Sequence, residues 1–486
     1  MTVDASRRWI ALYVLCLASL MIVLDMTIVN VALPSIKDDL GFSETSLAWV
    51  VNAYLLTYGG CLLLGGRLGD LLGHRRLFLI GIILFTLASL ACGIATAKGF
   101  LVAARAVQGV GGAVASAVSL SLMMMLFVEP AERAKAMGIF GFVAAGGGSI
   151  GVVLGGVLTD FLNWHWIFLV NIPIGALVVF LSLRLLPGTP GTAQGERIDL
   201  AGAATVTGAL MLAIYAIVNG NQEGWTSAQT LGLLGGAAAL LGVFLWVESH
   251  VRLPLVPLRL FRLRNFSTAN VVGVLWAAAM FAWFFLAALY LQFVLGYSPL
   301  QIGLAFLPSS LIMAVFSIGL SAKLVMRFGI SRPLAIGLGL AAAGLALFIR
   351  LPVDGSFLVD VLPSMILLGF GAGMAFNPVL LAAMNDVEQT EAGLASGIVN
   401  TAFMMGGALG LAVLASVAAS RTSSLEATES HLAALTGGYH LAFLVGAIFA
   451  ALAATLGGLL LPNRAPTGAA AHEPEPEPGQ LATAQD

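Results

Sequence analysis

Fourteen apolar runs, most of them 20 residues or longer, recur along this chain and restrict its fold more than any other feature. At 1.5 Å of rise per residue, about 20 helical residues cross the roughly 30 Å hydrocarbon core of a bilayer. That core holds no water, so each run must satisfy its own backbone N–H and C=O groups, which a helix does within one segment. The runs lie at about 9–33, 45–65, 77–97, 100–122, 137–160, 166–186, 200–219, 229–249, 266–291, 299–322, 333–350, 357–381, 393–417 and 438–461. Composition agrees: of 486 residues, 59% are hydrophobic and 9% charged, where soluble domains carry about 25% charged residues. The net charge of −2 offers no basic surface to nucleic acid. Cys16, Cys61 and Cys92 all lie inside apolar runs and read as small buried hydrophobes, not as disulfide or metal ligands.

The first run follows Arg7 and Arg8 but is far longer than a secretory signal core, so it is expected to remain as a helix. With the N-terminus inside, 17 of the 22 lysines and arginines fall at cytoplasmic ends. Only Lys37, Lys98, Arg350 and Arg421 fall outside, while Arg105 lies within a run. Basic residues concentrate on the cytoplasmic side, so both termini are expected there, in a multi-pass protein of the cell (inner or plasma) membrane.

The chain also repeats itself. "GRLGDLLGHRRL" from Gly66 aligns with "AKLVMRFGISRPL" from Ala322, matching Arg67 to Lys323, Gly73 to Gly329 and Arg76 to Arg332. Gly109 and Gly111 match Gly369 and Gly371, and Gly138, Gly147 and Gly151 match Gly397, Gly406 and Gly410. The expected organisation is an all-α integral membrane protein: a six-helix bundle over 1–187, a linker with an inserted helix pair over 188–264, and a second six-helix bundle over 265–461. The Pro/Glu-rich tail, 462–486, has nothing apolar to bury and is expected to be disordered. Two like halves around a midplane cavity form the architecture of alternating access.

Against this background Asp25, inside the first run, is costly: about 2.5–3.5 kcal/mol at a bilayer centre even on the lenient scale. It lies some eight residues, roughly 12 Å, from the outer end of its run. In the fourth run, Arg105 lies roughly 8 Å from the outer end and Gln108 at the depth of Asp25. A buried guanidinium stays charged and needs an anion or carbonyls, so Arg105 can reach Asp25. A static bridge that fixes helix packing and a working pair are both compatible with that depth match. Gly147, Gly151 and Gly155, with Gly156, form a small-xxx-small face for close helix packing.

"LDMTIVNVALP", "GGRLGDLLGHRR", "LVAARAVQGVGGA", "GGGSIGVVLGG" and "WIFLVNIPIG" follow one another in that order. Together with the run count they make the chain, from about residue 9 to 461, resemble the fourteen-helix drug:proton antiporters of the major facilitator superfamily. The resemblance implies the major facilitator fold with 14 transmembrane helices, and proton-coupled efflux of lipophilic neutral or monocationic compounds. Proton-coupled export of an endogenous metabolite or antibiotic, and proton-coupled uptake, stay open as alternatives. It implies a proton-coupling role for Asp25, Arg105 and Gln108. It implies gating or conformational roles for Gly66, Asp70, Gly73 and Arg75, with Asp70 near the start of the third helix as a latch between halves, and for Gly147, Gly151, Gly155 and Gly156. Leu71 stands where the family usually has a basic residue, and Val152 where its antiporters have proline, which leaves the direction of transport open.

Candidate substrate contacts are Asn30, Asn52, Tyr54 and Tyr58 in the first two runs, Phe281 and Trp283 in the ninth, and Met404 in the thirteenth. Aromatic and methionine surfaces suit bulky apolar ligands and cations, although plain packing reads the same way. The six histidines fall in loops or at run ends and no phosphate-binding loop is present, so neither an enzyme, a metal site nor ATP-driven transport is expected. Protons, small lipophilic substrates and the bilayer are the expected partners of a monomer that needs no cofactor.

Overall fold

A computed structural model describes residues 5–127, 129–188, 199–251, 254–316, 320–388 and 391–463. The expected disordered tail lies outside the described residues beyond position 463. The described chain is helical throughout: α1 (Ala5–Leu40), α2 (Glu44–Leu72), α3 (His74–Gly93), α4 (Lys98–Leu126), α5 (Pro130–Phe161), α6 (Trp166–Leu169), α7 (Asn171–Leu185) and α8 (Leu200–Glu223). There follow α9 (Ala228–His250), α10 (Arg264–Leu289), α11 (Pro299–Val315), α12 (Ser321–Phe328), α13 (Ser331–Phe348), α14 (Leu362–Met384), α15 (Ala392–Leu425) and α16 (His431–Leu460).

Local chemistry sets several boundaries. Ser43 and Ser46 form a capping box that starts α2, and Ser298 with Gln301 does the same for α11. Gly73, at φ +87°, is the whole break between α2 and α3, and its repeat partner Gly329 sits at φ +81°, a region where a side chain is strained. Most of "GGRLGDLLG" therefore belongs to α2. Asp70 falls in the last turn of that helix, not at the start of α3 as expected, because Gly73 and not an earlier glycine ends it. α1 continues through Pro34 to Leu40, well past the expected end.

Twelve helical stretches among the described residues are long and apolar enough to cross a membrane, where fourteen were expected. The other two expected spans are only partly covered by described residues: in α5, a 32-residue helix, the described apolar stretch is Ile150–Phe161, and α11 is described over the 17 residues Pro299–Val315. The expected sixth helix is broken at Val170 into α6 and α7.

The packing of the first six expected spans recurs in the last six. α1 lies on α5 as α10 lies on α15, and α4 lies on α2 and α3 as α14 lies on α11 and α13. The two sets meet where α2 packs on α15 and α5 on α11, and α8 bridges α2 and α15 with α9 outside it. Large apolar side chains such as Trp246 and Leu459 point away from the bundle, as lipid-facing positions do.

At the end of the bundle that holds Lys37 and Glu44, the two sets are clasped. Tyr439 of α16 donates to Glu44 Oε1 at 3.1 Å. Lys37 Nζ lies 3.4 Å from the same oxygen and 4.1 Å from the centre of the Phe293 ring. Ser298, which caps α11, donates to Asp160 Oδ2 at 3.4 Å. A Cβ on Gly156 would lie 2.7 Å from Pro299 O, so α5 and α11 touch backbone to backbone. The arginine-rich end is open: a cavity of about 1060 Å³ enters there between α2, α4, α9 and α15.

Candidate functional site

Asp25 is completely buried and sits at the centre of a polar cluster. Arg105 Nη1 donates to Asp25 Oδ2 at 2.6 Å, Gln108 Nε2 to Asp25 Oδ1 at 2.7 Å, and Asn171 Nδ2 to the same oxygen at 3.0 Å. Among the described residues three donors face the carboxyl group, and its two oxygens can accept all of them. Arg105, 1% exposed, also donates from Nε to Val50 O at 3.0 Å and from Nη1 to Gln108 Oε1 at 2.6 Å. Its guanidinium lies over the Tyr54 ring at 4.3 Å and the Phe168 ring at 5.6 Å, which attract a buried cation.

Ser89 extends the cluster. It accepts from Gln108 Nε2 and from Asn171 Nδ2, each at 2.9 Å, and donates to Phe168 O at 3.2 Å. Cys92 Sγ contacts Gln108 Oε1 at 3.7 Å. Five helices thus converge on one carboxylate: α1, α3, α4, the start of α7, and α2 through Val50 and Tyr54. The break at Val170 places Asn171 in the first turn of α7, where the chain comes over the carboxylate. Asn171 and Ser89 were not singled out from the sequence. Helix depth was the signal that could have found them, since Asn171 lies about five residues from the outer end of its run, level with Arg105, and Ser89 about eight, level with Gln108 and Asp25.

The glycine face behaves as expected. A Cβ on Gly147 would meet Leu20 at 3.1 Å, one on Gly151 would run into the Thr27 hydroxyl, and one on Gly155 would lie 2.7 Å from Ile28 O. α5 therefore lies directly against the stretch of α1 that carries Asp25. Gly156 makes the corresponding close approach to α11. Gly66 does not: nothing lies within 4 Å of a Cβ there, and Gly66 borders the open cavity. Arg75 bonds to Leu183 O of α7, inside the first set of helices, so in this state it does not reach across. The side chain of Asp70 lies outside the described ones, and the latch expected of it with them.

The expected substrate contacts do not line the open cavity. Asn30 bonds to Met26 O of its own helix at 3.3 Å. Tyr54 belongs to the Asp25 cluster and stacks on Tyr58 at 5.8 Å. Phe281 packs on Phe403, Trp283 on Phe284 and Phe306, and Met404 against Gly59 where α2 meets α15. Asn52 is wholly buried with neither polar atom of its amide bonded. The cavity is bordered instead by Ser116, Ser121, Glu248, Arg259 and Asn400, among others. Among the described residues, no group of three or more His, Cys, Asp or Glu is placed to hold a metal.

A helical bundle repeated once, closed at one end around a buried ion pair and open at the other, is the form of a membrane transporter. The chain belongs to the Major Facilitator Superfamily, whose sequence pattern matches residues 15–411. It is 40% identical over 470 residues to the puromycin resistance protein of Streptomyces alboniger, covering 94% of this chain and 92% of that one. It is 39% identical over 429 residues to the cephamycin export protein of Amycolatopsis lactamdurans, covering 88% of each. Among solved structures, a bacterial homologue of the human lysosomal transporter Spinster, inward-facing and unoccupied, superposes with a TM-score of 0.66 at 15% identity. That match covers 94% of this chain and 98% of the other, and it shares the fold.

Proposed function

We propose that this transporter exports lipophilic antibiotics or other drugs, neutral or singly cationic, in exchange for protons. The observation that carries the reading is Asp25, buried under three donors at the closed end while a large cavity opens at the other. Desolvation disfavours a charged carboxyl group and a neighbouring cation favours it; this balance lets a group change protonation when its surroundings change. In the cycle we propose, Asp25 takes a proton from outside when the clasped end opens, loses its bond to Arg105, and returns the proton to the cytoplasm in the state described here. Export is the direction the two relatives support, one named for resistance and one for export.

The reading includes fourteen spans, counting α5 and α11, in two six-helix bundles (1–187 and 265–461) with α8 and α9 inserted. It places the arginine-rich open end in the cytoplasm with both termini, in the cell membrane, and takes the working unit as a monomer. One proton moving down about 100 mV releases about 2.3 kcal/mol, enough for roughly a fiftyfold gradient of a neutral compound at 1.4 kcal/mol per decade. Since both relatives are named for single antibiotics, export of an antibiotic made by the same cell is the second reading.

The test is transport in proteoliposomes, with puromycin and a lipophilic dye as probes under an imposed pH gradient. Gradient-driven accumulation is expected in the unsubstituted protein and is lost in Asp25→Asn, which retains only downhill exchange. An Asp25→Asn protein that still accumulates substrate against its gradient overturns the proposal.

A further inference from the structure

Away from Asp25, two more carboxyl groups are buried against each other where α8 begins and α9 ends. Asp199 is 5% exposed and Glu248 4%. Each uses one oxygen structurally. Asp199 Oδ1 accepts the Gly202 N–H at 2.7 Å and caps α8, and Glu248 Oε2 accepts the Val256 N–H at 3.1 Å, tying the following loop to α9. The second oxygens, Asp199 Oδ2 and Glu248 Oε1, are buried and have no hydrogen-bond partner. Both point at one place: a Cβ on Gly202 would collide with Asp199 Oδ2 and lie 2.9 Å from Glu248 Oε1. Glu248 also borders the large open cavity.

Two buried acceptor-only oxygens that flank the same point beside Gly202 repel when both groups are charged. One proton removes the conflict: the protonated acid donates to the other carboxylate, and both orphaned oxygens are satisfied. Among the described residues, no cation is paired with either of these oxygens. Among the described residues, the other charged side chains at this mouth are Arg259, Arg262 and Glu391; Arg259 pairs with Glu391. His250, at the end of α9, faces Trp246 O and Ser249.

We propose that Asp199 and Glu248 form a second proton-binding site, an acid pair that shares one proton across Gly202 at the mouth of the cavity. The proton comes from water in the cavity, and its loss returns a like-charged pair that pushes the α8–α9 junction apart beside that cavity. The site lies on the inserted helix pair, which the duplicated halves do not account for, and it holds its proton whether or not Asp25 does.

The experiment is infrared difference spectroscopy of the full-length protein in lipid nanodiscs at pH 7, reading the C=O stretch of protonated carboxyl groups. It is done in an Asp25→Asn background, so that the outcome is separate from the transport reading above. A protonated-carboxyl band is expected to remain in that background and to disappear with either Asp199→Asn or Glu248→Gln. Both changes are isosteric, and Asn caps a helix as well as Asp. If either variant aggregates, Gly202→Ala, which keeps both acids but puts a methyl group between them, is expected to shift or remove the band. Absence of the band in the Asp25→Asn protein overturns the pair, and so does a band that neither substitution moves. A band removed by only one of the two assigns the proton to a lone acid and also overturns it.

Discussion

Asn171 donates to the same Asp25 oxygen that Gln108 holds, at 3.0 Å, so a residue at the α6–α7 break secures the carboxylate oxygen that Arg105 does not bond. Its other amide atom, Oδ1, is buried and unbonded. Asn171 therefore serves this cluster as a donor alone.

Removing that donor weakens the hold on the charged carboxylate by about 1.5–3 kcal/mol, the range for a hydrogen bond to a charged group. Asn171→Ala is expected to lower gradient-driven efflux roughly tenfold or more and to lower the melting temperature through the lost buried bond, while downhill exchange changes little. Asn171→Asp, which sets a second acid against Asp25, should abolish coupled transport. Equal loss of coupled and downhill transport in Asn171→Ala would assign the residue to packing instead.

Arg105 is not replaceable by lysine. Its Nε reaches Val50 O while Nη1 reaches Asp25 and Gln108, and its flat face lies on Tyr54. An ammonium group is a point donor with no such face. Arg105→Lys is expected to lose nearly as much efflux as Arg105→Ala, at least tenfold in rate, although the charge is kept. Wild-type efflux in Arg105→Lys would show that charge alone suffices.

The convergence of Asp25, Arg105 and Gln108 was legible because helix rise is fixed, so counting residues from the run ends gives depth. Twelve of the fourteen expected spans were legible for the same reason, since lipid leaves the backbone no other form. Ser89 and Asn171 were not, because one small polar residue in an apolar run leaves no period to read. Asp70 was assigned to the wrong helix because four glycines crowd the α2–α3 junction, and only the backbone angle at Gly73 shows which one ends α2. The substrate contacts are a separate case. Aromatic and methionine stripes look alike whether they face a cavity or pack a helix interface, and Trp283 and Met404 are doing the second here.

Close packing of α5 on α1 gives a paired prediction. A methyl group on Gly151 would run into the Thr27 hydroxyl and lie 3.0 Å from Leu24 O, one residue from Asp25. Overpacking of this kind costs about 1–3 kcal/mol, and here it also displaces the proton site. Gly151→Ala is expected to lower both the melting temperature and efflux. Gly66→Ala, in open space inside α2, should leave stability equal or raise it by up to about 1 kcal/mol through helix propensity. A Gly151→Ala protein as stable and active as Gly66→Ala would mean that α1 and α5 part freely.

The clasp at the closed end sets the balance between the two access states. Glu44 Oε1 receives both the Tyr439 hydroxyl, at 3.1 Å, and Lys37 Nζ, at 3.4 Å, and so joins α1 and α2 to α16. The Tyr439 bond and the contact of Lys37 with the Phe293 ring cross between the two sets and exist only while this end is closed, so losing either favours the state with this end open. Tyr439→Phe removes a bond to a charged group worth about 1.5 kcal/mol, roughly a tenfold shift in the ratio of the two states. Spin labels at the exposed positions Asp38 and Glu429 read that ratio as a distance distribution. The longer-distance population is expected to grow in Tyr439→Phe and to grow further when Lys37→Ala is added. An unchanged distribution in both would place the control of opening elsewhere, with the α5–α11 contact at Gly156 the next element to relax.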